Sequence, residues 1–226
     1  MLSISVKSEW KIAHPGAMIG LLELSGVNNT QPAPELETLK RETEAELRER
    51  YQHFSRQDFV SLPIMAAYKK YYQGFKKTYH VLQQVESIAL KGRNLPKVSP
   101  LVDANFVAEM ETFVLTAGHD VAKLVAPIQI DVSREGDQIT QMNGATKPMR
   151  VGDMVMHDAD GVSCSIIYGQ DNRSPITPET AHVLYVAYAP VGVSAEAVNA
   201  QLEKIETLVR IISQNVVMEQ HRVIAA

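Results

Sequence analysis

The sequence predicts an α+β fold, and three observations point to it. Helical spacing and helix punctuation fill the first half of the chain. Alternating apolar patterns fill the second half. Strand-like and helix-like segments do not alternate, as they would in a parallel-sheet fold. The 226 residues are 45% hydrophobic, enough to close a core, and are expected to form one unit.

Residues 17–27 are mostly apolar and run into Gly26 and the turn cluster Asn28-Asn29-Thr30, so the first thirty residues read as strand. Pro34 to Gln52 reads as a helix. Pro34 suits its first turn, and Leu36, Leu39, Thr43 and Leu47 form one inward stripe on an otherwise charged segment. Phe59 to Lys91 reads as two helices broken near Gly74, ended by the run Gly92 to Pro96. Ser99 as cap and Pro100 as first residue open a helix that Val102, Phe106, Val107, Met110, Phe113 and Val114 carry to Ala117-Gly118. Residues 128–132 alternate as a strand, and 151–157, 162–168 and 181–189 are further strands, with hairpin-type turns at Gly136-Asp137 and Asn143-Gly144. Ser194 caps a long last helix to about Gln220, whose stripe of Val198, Leu202, Ile205, Leu208, Val209, Ile212 and Val216 serves the core or a homo-oligomer contact.

A net charge of −4 argues against a sequence-blind polyanion binder, which draws its affinity from many Lys and Arg contacts, but leaves room for one local patch. No apolar run has the length to span a bilayer, and residues 1–11 carry no secretory pattern, so the expectation is a cytoplasmic protein with no membrane partner. Cys164 is the single cysteine; it excludes an intramolecular disulfide and reads as a buried core thiol. The seven histidines are scattered with no ligand spacing, so no metal site is expected. No phosphate-cradling glycine loop and no Gly-x-Ser-x-Gly elbow appear, so no cofactor and none of the common kinase, oxidoreductase or serine-hydrolase chemistries is expected.

Four segments carry candidate chemistry. Lys69, Lys70, Lys76, Lys77, Lys91, Arg93 and Lys97 face only Glu86 in the same stretch, and Tyr68, Tyr71, Tyr72, Phe75 and Tyr79 interleave with them. Such a block grips phosphates and stacks on unpaired bases, or else is a solvated face with its aromatics turned into the core. Asp103 and Asn105 are short polar groups in an apolar helical run, and either satisfy local backbone or line a wet pocket. His119, beside Asp120, offers a group that titrates near neutral pH, in a catalytic or a structural role. The polar loop from Tyr168 to Thr180 contains Arg173, which anchors a carboxylate or phosphate, or ties to Asp171 and loop carbonyls.

In order, these segments resemble the editing domain of the phenylalanyl-tRNA synthetase beta subunit. The run Leu95-Pro96 to Val102-Asp103-Ala104-Asn105 is similar to that family's Pro-x-x-x-x-Val-Asp-x-x-Asn segment. Ala117-Gly118-His119-Asp120 resembles the His-Ala-Phe-Asp segment that follows, Met142-Asn143-Gly144 its Leu-Asp-Gly hairpin, and Arg173 to Tyr188 its closing threonine turn and strand. The spelling is nearest to free-standing relatives, whose helical N-terminal extension Pro34 to Gly74 resembles. The resemblance covers Met1 to Pro190.

The resemblance implies a β-sandwich-like sheet core flanked by helices. Residues 1–80 would be the N-terminal strand and helical extension, 81–190 the shared core and 191–226 an added C-terminal helix. It implies hydrolysis of the ester of misacylated tRNA in trans, a task in translation quality control. His119 and Asn105 would be the catalytic residues, and Asp103, Asp120, Arg173 and Tyr185 would hold the substrate. Lys69, Lys70, Lys76, Lys77, Lys91, Arg93 and Lys97 would hold the acceptor end of tRNA. The alternative is a non-catalytic binding module for a small amino-acid-like metabolite. Three departures stand out. The family's pocket asparagine falls one position beyond Asn105. Its pocket histidine falls on Ala117. Its tyrosine-reading glutamate has no counterpart in His182 to Tyr188, so tyrosine specificity is not implied.

Overall fold

The computed structural model describes residues 1–226. In chain order its elements are β1 (Ile4–Val6), α1 (Ser8–Ala13), β2 (Met18–Ser25), α2 (Pro34–Tyr51), α3 (Arg56–Ser61), α4 (Pro63–Gly74), α5 (His80–Ala89) and α6 (Pro100–Thr112). There follow β3 (Thr116–Asp120), β4 (Ile128–Val132), β5 (Gln138–Thr140), β6 (Thr146–Pro148), β7 (Met154–Asp158), β8 (Gly161–Ser165), β9 (Gly169–Gln170), β10 (His182–Ala189), α7 (Ala195–Ile212) and β11 (Val217–Ala225). One sheet runs β1-β4-β7-β8-β9, a second runs β11-β2-β10-β3, and β5-β6 is a separate hairpin. The fold is α+β, with the helices gathered mainly in the first half, as the sequence predicts.

β10 pairs with β2 from His182↔Ser25 to Ala189↔Met18 and with β3 on its other side. It is buried at all but its first residue, which explains an unbroken apolar run where a half-exposed strand would alternate. α7 begins at Ser194, whose hydroxyl accepts from the Ala197 N–H, and lays Val198, Leu202, Ile205, Leu208 and Val209 into the core. It can approach β2 closely because Gly20 has no side chain: a Cβ there would sit 2.5 Å from Val198 Cγ1.

Five expectations change. The first thirty residues are not all strand, since α1 interrupts them and anchors itself by the fully buried Trp10. α6 stops at Thr112, because Phe113 takes a left-handed backbone (φ 63°), and residues 116–120 become a strand. Gly118 is therefore a mid-strand residue and not a helix stop. The Gly136 turn joins β4 to β5 without pairing them; β4 lies between β1 and β7. The last helix ends at Ile212, and Val217–Ala225 returns as the edge strand beside β2. Since the apolar stripe of α7 is core, it is not free to form a homo-oligomer contact.

The aromatic block also turns inward. Tyr68 and Tyr79 stack with ring centroids 4.1 Å apart, and both are buried with Tyr72. Their hydroxyls donate to the carbonyls of Tyr188 (2.7 Å), Phe113 (2.8 Å) and, from Tyr72, Ile166 (2.6 Å). Tyr71 donates to Asp153 at 2.7 Å. These rings pin the helical layer to both sheets and are not available for stacking on bases. No helix is long and apolar enough to cross a membrane.

Candidate functional site

A cavity of ≈ 430 Å³ lies where α5, α6, β3, β10 and the segment after β8 converge. That size suits a small organic ligand. Asn105, Phe106 and Glu109 reach it from α6, Thr116 to Gly118 from β3, and Tyr185 and Tyr188 from β10. Ser165 and Gln170 close the far side, and the exposed Val98 and Met142 flank the mouth. The stretches around residues 105 and 119 and the strands past 160 thus share one cavity. Eleven of its 21 lining residues are hydrophobic, and none is Lys or Arg, so an apolar body with few polar groups fits it best. Phe106 and Ala117 line it at the two positions where the resembled pattern carries asparagine and histidine.

The polar wall is a connected network. Asn105 Nδ2 donates to the Thr116 carbonyl at 2.9 Å, and Gln201 Nε2 donates to Thr116 Oγ1 at 3.0 Å. Thr112 Oγ1 in turn donates to Gln201 Oε1. Glu109 Oε1 accepts from the Thr116 N–H at 2.8 Å. Burial pushes the Glu109 carboxyl up to about 8, against the opposing pull of the Thr116 amide and the Asn105 side chain.

His119 does not line the cavity. It is fully buried behind it, with Nδ1 2.8 Å from Ser174 Oγ. Ser174 Oγ donates onward to Asp171 Oδ1 at 2.7 Å, Gln170 Nε2 lies 3.2 Å from the imidazole Nδ1, and the imidazole Nε2 has no partner. Burial pushes the imidazole down to about 3, so it is neutral at physiological pH. Gln170 Nε2 bonds the Gly118 and Ser174 carbonyls in the same cluster. His119 therefore seats the loop after β9 on β3.

Three of the four expected substrate residues are committed elsewhere and do not line the cavity. Asp103 pairs with the fully buried Lys40 at 2.7 Å and accepts from the Val98 N–H. Asp120 accepts from Thr180 Oγ1 at 2.9 Å and from the Ala122 N–H. Arg173 pairs with Asp158 at 3.0 Å and Asp171 at 2.8 Å, so its guanidinium is already neutralised. Tyr185 lines the cavity, but its hydroxyl donates to the Leu101 carbonyl at 2.8 Å, which leaves its ring as wall. Cys164 is buried beside Tyr188, and burial pushes its thiol up to about 12, as an inert core thiol requires.

The seven cations do not form one patch. Lys69 and Lys77 share with Arg56 a groove that has no residue in common with the cavity, and Lys97 precedes Val98, which lines the cavity. Lys91 and Arg93 lie past the other end of α5, a helix roughly 15 Å long at 1.5 Å per residue.

Sequence reasoning missed Glu109 and Lys40. Glu109 carried one usable signal: it lies four residues after Asn105, on the same face of an apolar helical run, where a carboxylate has no reason to be solvated.

Residues 65–215, more than half of the chain, match the family described as the B3/4 domain. No curated protein matches. Among solved structures, the crystal structure of an N-terminal fragment of the phenylalanyl-tRNA synthetase beta-subunit from Pyrococcus horikoshii is similar at 9% identity. The match covers 97% of this chain and 54% of that one, with a TM-score of 0.49. This chain thus spans about half the length of that fragment.

Proposed function

We propose, from the premise that the chain belongs to the B3/4 domain family of phenylalanyl-tRNA synthetase beta subunits, that it hydrolyses misacylated tRNA in trans. The observation that carries this reading is the cavity between α6 and the two sheets, sized for an aminoacyl group.

In this reading the aminoacyl body enters between Phe106, Ala117, Ile176 and Tyr185, and the tRNA acceptor end lies across the mouth. Lys76, Lys77 and Lys97 contact its phosphates, and Lys69, Lys70, Lys91 and Arg93 extend the contact along α4 and α5. A water held against the polar wall adds to the ester carbonyl carbon. The bond from that carbon to the terminal ribose oxygen then breaks, and the ribose oxygen takes the proton the water loses. Ester hydrolysis needs no dedicated nucleophile, and confinement of water and ester supplies much of the rate. Asn105 fixes the wall, and His119 acts as a positioning residue through the loop it seats.

The test incubates the protein with a panel of mischarged tRNAs and measures released amino acid. Release from at least one, lowered at least tenfold by Asn105→Ala or by filling the cavity with Ala117→Phe, is the expected result. No release from any member of the panel ends this reading. Lys76→Ala with Lys77→Ala should raise KM and reduce the salt dependence of binding while sparing kcat.

A further inference from the structure

We infer that Glu109 is the recognition residue of the cavity, and that the cavity takes a ligand with a primary ammonium group on an apolar body. The inference concerns the site proposed for hydrolysis and rests on that cavity being the ligand site.

Glu109 is 3% exposed, yet it is a cavity-lining residue. In the fold it accepts from the Thr116 N–H at 2.8 Å and is reached by the Asn105 side-chain amide, both neutral donors. No Lys or Arg pairs with it. A carboxyl buried without a cation is costly to ionise, and it is ordinarily rescued by a positive partner. Here the place for that partner is empty space inside the protein. The rest of the wall restricts what can bring the charge. Val102, Phe106, Ile176 and Tyr185 offer apolar surface, and Asn105, which bonds the Thr116 carbonyl and reaches Glu109, brings no charge.

The titratable groups around Glu109 do not compete. The phenols of Tyr68 and Tyr72 on α4, of Tyr79 ahead of α5 and of Tyr185 and Tyr188 on β10 are all pushed upward by burial. The Cys164 thiol from β8 behaves the same way. They stay neutral across the physiological range. His80 on α5 is directed away from the ionised form, since burial lowers it. An entering ammonium is then the one group that converts Glu109 to its carboxylate, and the displaced proton goes to solvent.

The probe is phenethylamine, with 2-phenylethanol as its uncharged counterpart of the same shape. Binding to the full chain is followed by calorimetry in buffers of differing ionisation enthalpy. The amine is expected to bind with release of a proton, and to tighten about 50-fold from pH 6 to pH 8, as a carboxyl titrating near 8 requires. The alcohol should bind at least tenfold more weakly. Glu109→Gln keeps the acceptor for Thr116 and should abolish both the preference and the proton release. The wild-type pH profile stands even if that variant folds poorly. Equal binding of amine and alcohol, or amine binding with no proton release, overturns the inference. Deacylation of tRNA without amine binding removes this inference and leaves the proposed hydrolysis intact; amine binding without deacylation does the reverse.

Discussion

Lys40 on α2 and Asp103 on α6 form an ion pair at 2.7 Å with both side chains almost fully out of solvent. Lys40 also donates to the Pro96 carbonyl, and Asp103 also accepts from the Val98 N–H, so one contact fixes the approach to α6. Removing Lys40 strands the Asp103 carboxylate, and removing Asp103 leaves the buried Lys40 ammonium with only Glu37 at 3.6 Å. Lys40→Met and Asp103→Leu are each expected to cost about 3–5 kcal/mol, while the double change recovers most of the loss. Denaturant titrations of the three variants test this. Additive losses would contradict it.

His119 and Glu109 set opposite pH limbs. The folded-state value of His119, about 3, lies below its ordinary 6.5. Its contribution is fully present above 6.5 and fades as the pH falls toward 3. The full swing is on the order of 3–5 kcal/mol. His119→Phe should therefore flatten the acid limb of melting temperature against pH. An unchanged slope between pH 6.5 and 4 would count against a buried neutral imidazole.

For Glu109 the sign reverses. Its folded-state value, about 8, lies above its ordinary 4.5. Stability from the protonated form is complete below 4.5 and drains away as the pH rises to 8. The swing is again about 3–5 kcal/mol. Glu109→Gln should hold stability level across that window. Parallel wild-type and variant curves would show that the carboxyl is ionised in the fold.

Tyr68 joins three segments through one oxygen: it donates to the Tyr188 carbonyl at 2.7 Å and accepts from the Leu115 N–H at 2.9 Å. Tyr68→Phe leaves both groups buried and unpaired, at a cost of about 1–3 kcal/mol. Chemical denaturation reads this directly, and a loss below the lower figure would mean that the site admits water.

Much of the helical framework was legible because its punctuation is local. Pro34, Pro100 and Ser194 stand at the helix starts they predict. β11 was hidden because Val216 and the residues after it continue the apolar content of α7, and nothing local says that Val217 pairs with Ser25. The end of α6 was hidden because Phe113 takes a left-handed backbone that its side chain does not announce. For the site, the three segments were legible as an ordered set, but which residue of each faces the cavity was not. Ala117 and His119 are two residues apart on β3 and share one side of the strand, yet only Ala117 reaches the cavity, because the loop carrying Gln170 and Ser174 closes over His119, and nothing local in the sequence announces that cover. The cations were legible; their separation by α5 was not.

The buried indole of Trp10 has a practical consequence. It is the chain's only tryptophan and has no solvent exposure, so a single fluorophore sits under the short helix that interrupts the first strands. Its emission should lie at the blue end of the range and move red only when that helix leaves the core, an optical readout of local opening that needs no label.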